Sequence, residues 1–286
     1  MTQMLLLAAV LAWIGNTALW AAEPLVASGG FVRNPSGNVP AELRVLTYNL
    51  HGPPGDRMDE LVEALMNDQV LKEATILGLQ EVNRHHRKTG YRDVASELAT
   101  TLGLYYAFAV ENPYQKGGGE RGLAILSRFP MSQVERIALP HSGPGGRRRI
   151  ALGTTVHLGP NRLRVYSIHL ETRIANRKHA DQLTTVLTDA NRYRELPTVI
   201  LGDFNTVYFR SEQTFNLLKA SNFQTKPYEG SSFRKVLLLR KKLDWIWGRN
   251  LEILESGVQG QIEASDHRPV WAQLRWRSDP NQVSQP

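Results

Sequence analysis

The sequence predicts an α/β fold in which two β-sheets pack face to face and helices cover the outside. Three observations carry this. Apolar runs of strand length alternate with segments of helical periodicity along most of the 286 residues. The alternation is broken between about residues 105 and 170, which read almost entirely as strand, and a simple doubly wound sheet is thereby excluded. Hydrophobic residues make up 42% of the chain, enough for a substantial core, and no composition break divides it, so one large domain is expected.

The elements follow in order. Residues 23–41 are rich in Gly, Pro, Ser and Asn and read as a linker, with the domain over 42–277. Arg44 to Leu50 alternates as a strand, and Asp56 to Met66 places apolar residues at helical spacing. Thr75 to Val82 is a strand, Arg92 to Leu102 a helix, and Tyr105 to Val110 a strand ending in the loop Lys116-Gly117-Gly118-Gly119. Gly122 to Ser127, Ile150 to His157 and Leu163 to Leu170 are strands. Between them, residues 140–149 form a Gly-rich loop ending in three arginines, either solvated or in contact with phosphate. Ala175 to Tyr193 is a helix, Pro197 to Leu201 a strand and Glu212 to Ala220 a helix. Leu243 to Trp247, Leu251 to Val258 and Pro269 to Trp276 are strands, and a polar tail over 278–286 is expected to be disordered.

Composition narrows the chemistry. The chain has no cysteine, so disulfides, thiolate nucleophiles and thiolate metal sites are excluded. A net charge of +7 and a pI near 9.7 favour an anionic partner: nucleic acid, a phosphorylated small molecule or an anionic membrane surface. A basic balance is also common among exported proteins. Residues 1–22 carry no charged side chain, and the apolar run Leu5 to Ile14 precedes small residues and Glu23-Pro24. This reads as a secretory signal cut near Ala21 or Ala22, with periplasmic or secreted localisation. The alternative is an uncleaved membrane anchor, though the run is short for a span.

Five polar clusters interrupt apolar strand-like runs, each where a strand ends. They are Asn49 in LRVLTYNLHG, Gln80-Glu81 in TILGLQEV, His169 in RVYSIHLE, Asp203 with Asn205 in TVILGDFNT, and Asp266-His267 before the last strand. Glu81 and Asp266 offer carboxylates and Asn49 a neutral oxygen. An oxygen-only set suits a hard cation, Mg²⁺ above all with Mn²⁺ as a substitute. Zn²⁺ would want clustered histidines at ligand spacing, and none are present; His85-His86 are adjacent in a loop. His267 needs a carboxylate from another strand to orient it, because consecutive strand side chains point to opposite faces. Asp244 in LDWIW is the candidate, and the two would form a general-base pair. Asp203 and Asn205 lie two apart and face one side of an extended segment, where they could hold an attacking water and a phosphoryl oxygen. His169 would bind the phosphate or protonate the leaving oxygen. Taken singly, each position has an ordinary structural explanation: a turn asparagine, a core histidine, a Gly-Asp turn. Their co-occurrence at strand ends, in the residue types that metal-assisted phosphoryl transfer to water needs, argues for one active site.

The set TYN, LQEV, GDFN and SDHRPV, in this order from about Leu43 to Trp276, resembles the endonuclease/exonuclease/phosphatase superfamily, the pancreatic-deoxyribonuclease-like fold. The resemblance implies a four-layer sandwich of two packed mixed β-sheets flanked by helices, with the site at one edge of the sheets. It implies Asn49, Glu81 and Asp266 as the metal site and Asp203 with Asn205 as the pair that positions water and phosphate. It implies Asp244 with His267 as the oriented base and His169 as a phosphate contact. Arg121 and Arg149 are expected to contact substrate or phosphate. The superfamily spans deoxyribonucleases, abasic-site endonucleases, sphingomyelinases, inositol-phosphate phosphatases and toxin nucleases. Three readings follow: an exported Mg²⁺-dependent phosphodiesterase, most readily a nuclease; a lipid or small-molecule phosphoesterase, with membrane contact; or a binding protein that keeps the fold without turnover. Every catalytic position holds a competent residue, which argues against the last. No protein partner is expected.

Overall fold

Side-chain alternation along Leu43–Leu50 already assigns two opposite faces. Leu43 and Val45 join one buried cluster while Leu46, Tyr48 and Leu50 join another. The same split recurs at Leu123 and Ile125 against Ala124 and Leu126. A strand buried on both faces in this way must lie between two layers.

A computed structural model of the chain describes residues 24–31, 40–52, 56–113, 115–207, 210–234, 241–262 and 264–277. The signal segment expected at 1–22 and the tail expected at 278–286 lie outside the described residues. Strands β1 (Val26–Gly30), β2 (Glu42–Asn49), β3 (Ile76–Arg84), β4 (Tyr105–Asn112), β5 (Glu120–Ser127), β11 (Leu251–Val258) and β12 (Val270–Trp276) form one sheet, in the order β1-β4-β5-β3-β2-β12-β11. Strands β6 (Met131–Ala138), β7 (Ile150–Leu158), β8 (Asn161–His169), β9 (Thr198–Asp203) and β10 (Asp244–Arg249) form the second, in the order β10-β9-β8-β7-β6. Both sheets are mixed: β2–β3 and β8–β9 run parallel and the other pairs antiparallel. Helices α1 (Asp56–Asn67) and α2 (Val94–Leu102) pack on the outer face of the first sheet through Met58, Leu61, Leu65, Val94 and Leu98. Helices α3 (Asn176–Asn191) and α4 (Arg210–Ala220) pack on the second through Leu183, Val186 and Leu218. The expected four-layer sandwich is the observed one.

Two strands were not expected. Residues 26–30 fall in the stretch read as a linker, yet they pair with β4 as the first sheet's edge. Their sequence, VASGG, carries little apolar signal because an edge strand buries little. Strand β6, MSQVERIA, edges the second sheet with mostly half-buried residues and was likewise illegible. Helix α2 starts later than its periodicity indicated, because the Asp93 side chain caps it by accepting from Ser96 N–H at 3.1 Å.

Small side chains let the sheets and strands approach closely. Gly78 of β3 faces Leu201 of β9, and a Cβ at Gly78 would lie 1.8 Å from the Leu201 side chain. Gly202 sits at φ +148°, where a Cβ would meet the Ile168 carbonyl oxygen at 2.0 Å. That contact is backbone and cannot yield without parting β8 from β9. Gly202→Ala is therefore expected to destabilise the protein by about 3 kcal/mol or more in urea unfolding. An unfolding midpoint equal to that of the unmodified protein would remove this account of the strand end.

Candidate active site

Register places three site residues side by side in the second sheet. His169 pairs with Asp203 across the parallel β8–β9 ladder, and Asp203 pairs with Asp244 across the antiparallel β9–β10 ladder. All three are buried. Beyond Asp203 the chain turns sharply. Asn205 adopts φ +48°, its N–H donates to Asp203 Oδ1 at 2.9 Å, and its side-chain Nδ2 donates to Leu170 O at 2.9 Å. His179 of α3 fixes the same turn by donating from Nε2 to Phe204 O at 2.9 Å. Asp203 and Asn205 are thus brought together, by a turn rather than by an extended segment.

The first sheet contributes from β2, β3 and the approach to β12. The β3–β5 pairing shifts register between Leu79 and Val82, and Glu81 within that bulge has φ +55°. A bulge re-aims one side chain without disturbing the rest of the strand, and here it turns Glu81 toward the site. Ser265 pins the other contributor: its Oγ donates to Asn49 O at 2.7 Å and accepts from His267 N–H at 3.1 Å. Asp266 is thereby held opposite Glu81. His51 Nδ1 lies between them, 3.6 Å from Glu81 Oε2 and 3.7 Å from Asp266 Oδ1. Below, Gln80 is fully buried and links the sheets, accepting from Thr47 Oγ1 at 3.3 Å and donating to Ser167 Oγ at 3.1 Å.

One carboxylate oxygen is the focus of the two halves. Asp203 Oδ2 accepts from Asn49 Nδ2 at 3.1 Å and is faced by His169 Nε2 at 3.5 Å and His267 Nε2 at 3.8 Å. Behind it, His267 Nδ1 hydrogen-bonds Asp244 Oδ2 at 2.8 Å, so Nε2 is the nitrogen turned into the site. Burial, reinforced by the neighbouring Asp244 charge, pushes the Asp203 carboxyl well above its ordinary range. Burial opposes charge on His267, but the Asp244, Asp203 and Asp266 carboxylates outweigh it and favour the protonated ring, pushing its pKa up to about 10. His169 goes the other way. Burial and then the Arg149 cation hold it far below an ordinary histidine, so its ring is neutral.

Arg149 corrects an expectation. It was expected to contact substrate phosphate, but it is 3% exposed and its guanidinium is committed within the protein. Nη1 donates to both Glu111 oxygens at 3.1 Å, Nε donates to Glu171 Oε2 at 3.2 Å, and Nη1 lies 2.9 Å from His169 Nδ1. A guanidinium has no acceptor, so His169 Nδ1 must accept and the proton of the neutral ring sits on Nε2. Arg149 therefore positions His169. Arg147 also turns inward, 3.4 Å from Glu171, while Arg148 is exposed. Glu111, Glu171 and His51 are the participants the sequence reading missed. Glu171 follows the His169 cluster and Glu111 ends the apolar run YAFAV, which were the available signals. Arg121 does reach the site: Nη1 donates to Glu81 Oε2 at 3.0 Å, while its buried Nε has no partner.

Two donor sets could hold a cation. Ligand atoms of Asp203, Asp244 and His267 all lie within 4.8 Å of one another. There, however, the Asp244–His267 hydrogen bond puts a proton where a metal would bind. Glu81 and Asp266 present carboxylates to a shared point, with Nδ1 of the half-exposed His51 between them and Arg121 Nη1 on Glu81. Asn49 Oδ1 lies alongside, accepting from His51 N–H at 3.0 Å with a lone pair to spare. These all-oxygen donors fit a hard divalent cation.

Residues 46–267 match the sequence model of the Endonuclease/Exonuclease/phosphatase family. No curated protein matches the chain. Similar solved structures include an endonuclease/exonuclease/phosphatase from Beutenbergia cavernae (TM-score 0.68, 20% identity, covering 83% of this chain and 72% of that one). The human Nocturnin catalytic domain with bound sulfate is similar at TM-score 0.64 and 18% identity, covering 87% and 96%. D. rerio TDP2 complexed with a single-strand DNA product is similar at TM-score 0.63 and 16% identity, covering 82% and 100%.

Proposed function

The chain belongs to the endonuclease/exonuclease/phosphatase family, and from that premise we propose that it hydrolyses phosphodiester bonds with a divalent cation, Mg²⁺ or Mn²⁺, and acts on nucleic acid. The observation that carries the proposal is the ring of nitrogens from Asn49, His169 and His267 about Asp203 Oδ2, beside the Glu81–Asp266 carboxylate pair. Glu81, Asp266 and Asn49 would hold the cation, which when bound supplies positive charge to phosphoryl and leaving oxygens. Asp203 and Asn205 hold the attacking water. In the neutral form of its ring, His267 Nε2, aimed by Asp244, takes the water's proton as the water oxygen bonds to phosphorus and the leaving oxygen departs. His169 Nε2–H donates a hydrogen bond to a phosphoryl oxygen; a neutral ring with its other nitrogen occupied suits this role better than protonating the leaving group.

The +7 charge and the DNA product bound by the TDP2 neighbour support a nucleic-acid substrate. Release of acid-soluble nucleotide from DNA or RNA is expected at millimolar Mg²⁺, falling to background with a chelator. No cleavage of any nucleic acid would sink the substrate assignment, and turnover of sphingomyelin, phosphoinositides or sugar phosphates in a parallel screen would redirect it. Among the described residues no helix is long and apolar enough to cross a membrane. Export remains part of the proposal and rests on residues 1–22. Mass spectrometry of the protein recovered from the cell envelope or medium tests it, with a start near Glu23 expected; a full-length mass in membranes would point to an anchor.

A further inference from the structure

Beside the Glu81–Asp266 pair lies a separate polar cavity of about 200 Å³, smaller than a pocket for a drug-sized ligand but roomy enough for a phosphate with part of its attached group. Its walls include His51, Asn83, His86, Lys88, Lys116 and Arg121, and no carboxylate lines it. Two loops build it. One follows β3 and carries Lys88; the other joins β4 to β5 and carries Lys116. His86, 4% exposed, ties them together: its Nδ1 accepts from Lys88 N–H at 3.1 Å and its Nε2 reaches Lys116 O at 3.2 Å. The acceptor at Nδ1 and the carbonyl at Nε2 place the ring proton on Nε2, so His86 serves as a neutral strut between loops rather than as a site base.

Several donor side chains line the cavity, the exposed Lys88 and Lys116 among them. Neither the Lys88 nor the Lys116 ammonium has an ion-pair partner among the described residues. Asn83 is 3% exposed, and its Oδ1 accepts from Gln115 Nε2 at 3.2 Å, leaving its amide nitrogen as a donor in the cavity wall. Arg121 commits Nη1 to Glu81 and leaves its buried Nε unused. A buried donor with no acceptor is costly, and an anion in the cavity would satisfy these groups together. Arg121 and His51 border both this cavity and the Glu81–Asp266 pair, so the two spaces are contiguous.

We propose that this cavity is a second phosphate subsite, which binds a phosphate of the substrate other than the one being cleaved. The inference rests on the phosphodiesterase reading above and sharpens it. The preferred substrate then carries at least two phosphates in one chain, as an oligonucleotide does, either as a flanking phosphodiester or as a terminal phosphomonoester. A lone phosphodiester such as a zwitterionic lipid head group would leave Lys88 and Lys116 unused.

Binding and turnover test it separately. The probe for binding is fluorescent oligothymidylate in excess chelator, where no cleavage is expected. Lys88→Ala/Lys116→Ala should weaken binding about tenfold and lower the salt slope by about one to two, because two counterion-releasing contacts are lost. A charge-matched control, Lys72→Ala/Lys219→Ala, should do neither. Unchanged affinity in the first variant, or equal loss in the control, overturns the subsite. In turnover, the variant should lose at least tenfold more kcat/KM on a trinucleotide than on bis(p-nitrophenyl) phosphate. Equal loss on both also overturns it. Trinucleotides with a methylphosphonate at the flanking linkage or without the terminal phosphate separate the two sources: whichever change reproduces the variant's loss, and adds none in the variant, marks the phosphate bound. Failure of the unmodified protein to cleave any ester, with the binding difference intact, would strike the hydrolase reading and spare the subsite.

Discussion

Replacing His267 by alanine is expected to lower kcat on a phosphodiester by about a thousandfold or more, the range in which a general base contributes. Its Nε2 faces Asp203 and its Nδ1 is held at 2.8 Å by Asp244, so the ring is aimed into the site while its rear is fixed. The loss will not be free of structural cost. The ring packs edge-on against Phe233, with centroids 5.0 Å apart, and Asp244 would be left buried without its partner. A destabilisation of about 1–3 kcal/mol follows, small enough to leave a typical domain folded. The double variant Asp244→Asn/His267→Ala removes the stranded charge and should recover much of that stability with no recovery of turnover. Groups that act as one unit are not additive, so the double variant should be little slower than the single one. Activity within tenfold of the unmodified protein in a folded His267→Ala variant would take the base role away from this residue.

Arg149→Met should produce the largest stability change in the site, about 3–5 kcal/mol, because it strips buried Glu111 of its cation and deprives Glu171 of a cation nearer than Arg147. The Glu111 and Glu171 side chains are almost wholly inaccessible, and the same guanidinium pairs with both, Arg147 lying farther from Glu171 at 3.4 Å. The Arg149 and Glu171 charges favour one another although burial opposes each. Catalysis should suffer for a separate reason: His169 Nδ1 loses the donor that keeps the ring proton on Nε2. The triple variant Arg149→Met/Glu111→Gln/Glu171→Gln distinguishes the two effects. It should regain most of the stability, since no buried charge remains, yet keep a lowered kcat and show a changed His169 tautomer by nitrogen NMR. A triple variant with normal kcat and tautomer would reduce Arg149 to a purely structural part.

Legibility followed the strength of the local signal. TYN, LQEV, GDFN and SDHRPV stood out because each sets a polar group against an apolar strand, a contrast visible within ten residues. Strands β1 and β6 did not, since edge strands bury too little to leave a pattern. Arg149 was read by residue type, as a phosphate ligand beside two other arginines. Its actual task depends on Glu111 and Glu171, separated from it in sequence but joined to it by the β4 and β8 strand ends. His51 and the bulge at Glu81 were equally hidden, because left-handed backbone at a non-glycine residue has no reliable signature in composition.

What amino-acid order determined by itself was the inventory: an α/β sandwich, a cysteine-free set of oxygen and imidazole groups, and the strand ends that bear them. Periodicity and residue chemistry are properties of neighbours along the chain, and they survive reading in one dimension. What only the tertiary structure decided was partnership: which nitrogen of His169 and His267 faces Asp203, which cation neutralises Glu171, and which lysines share a cavity with Asn83. Hydrogen bonds and Coulomb forces act over a few ångströms of space, and the groups they join here lie tens to hundreds of residues apart.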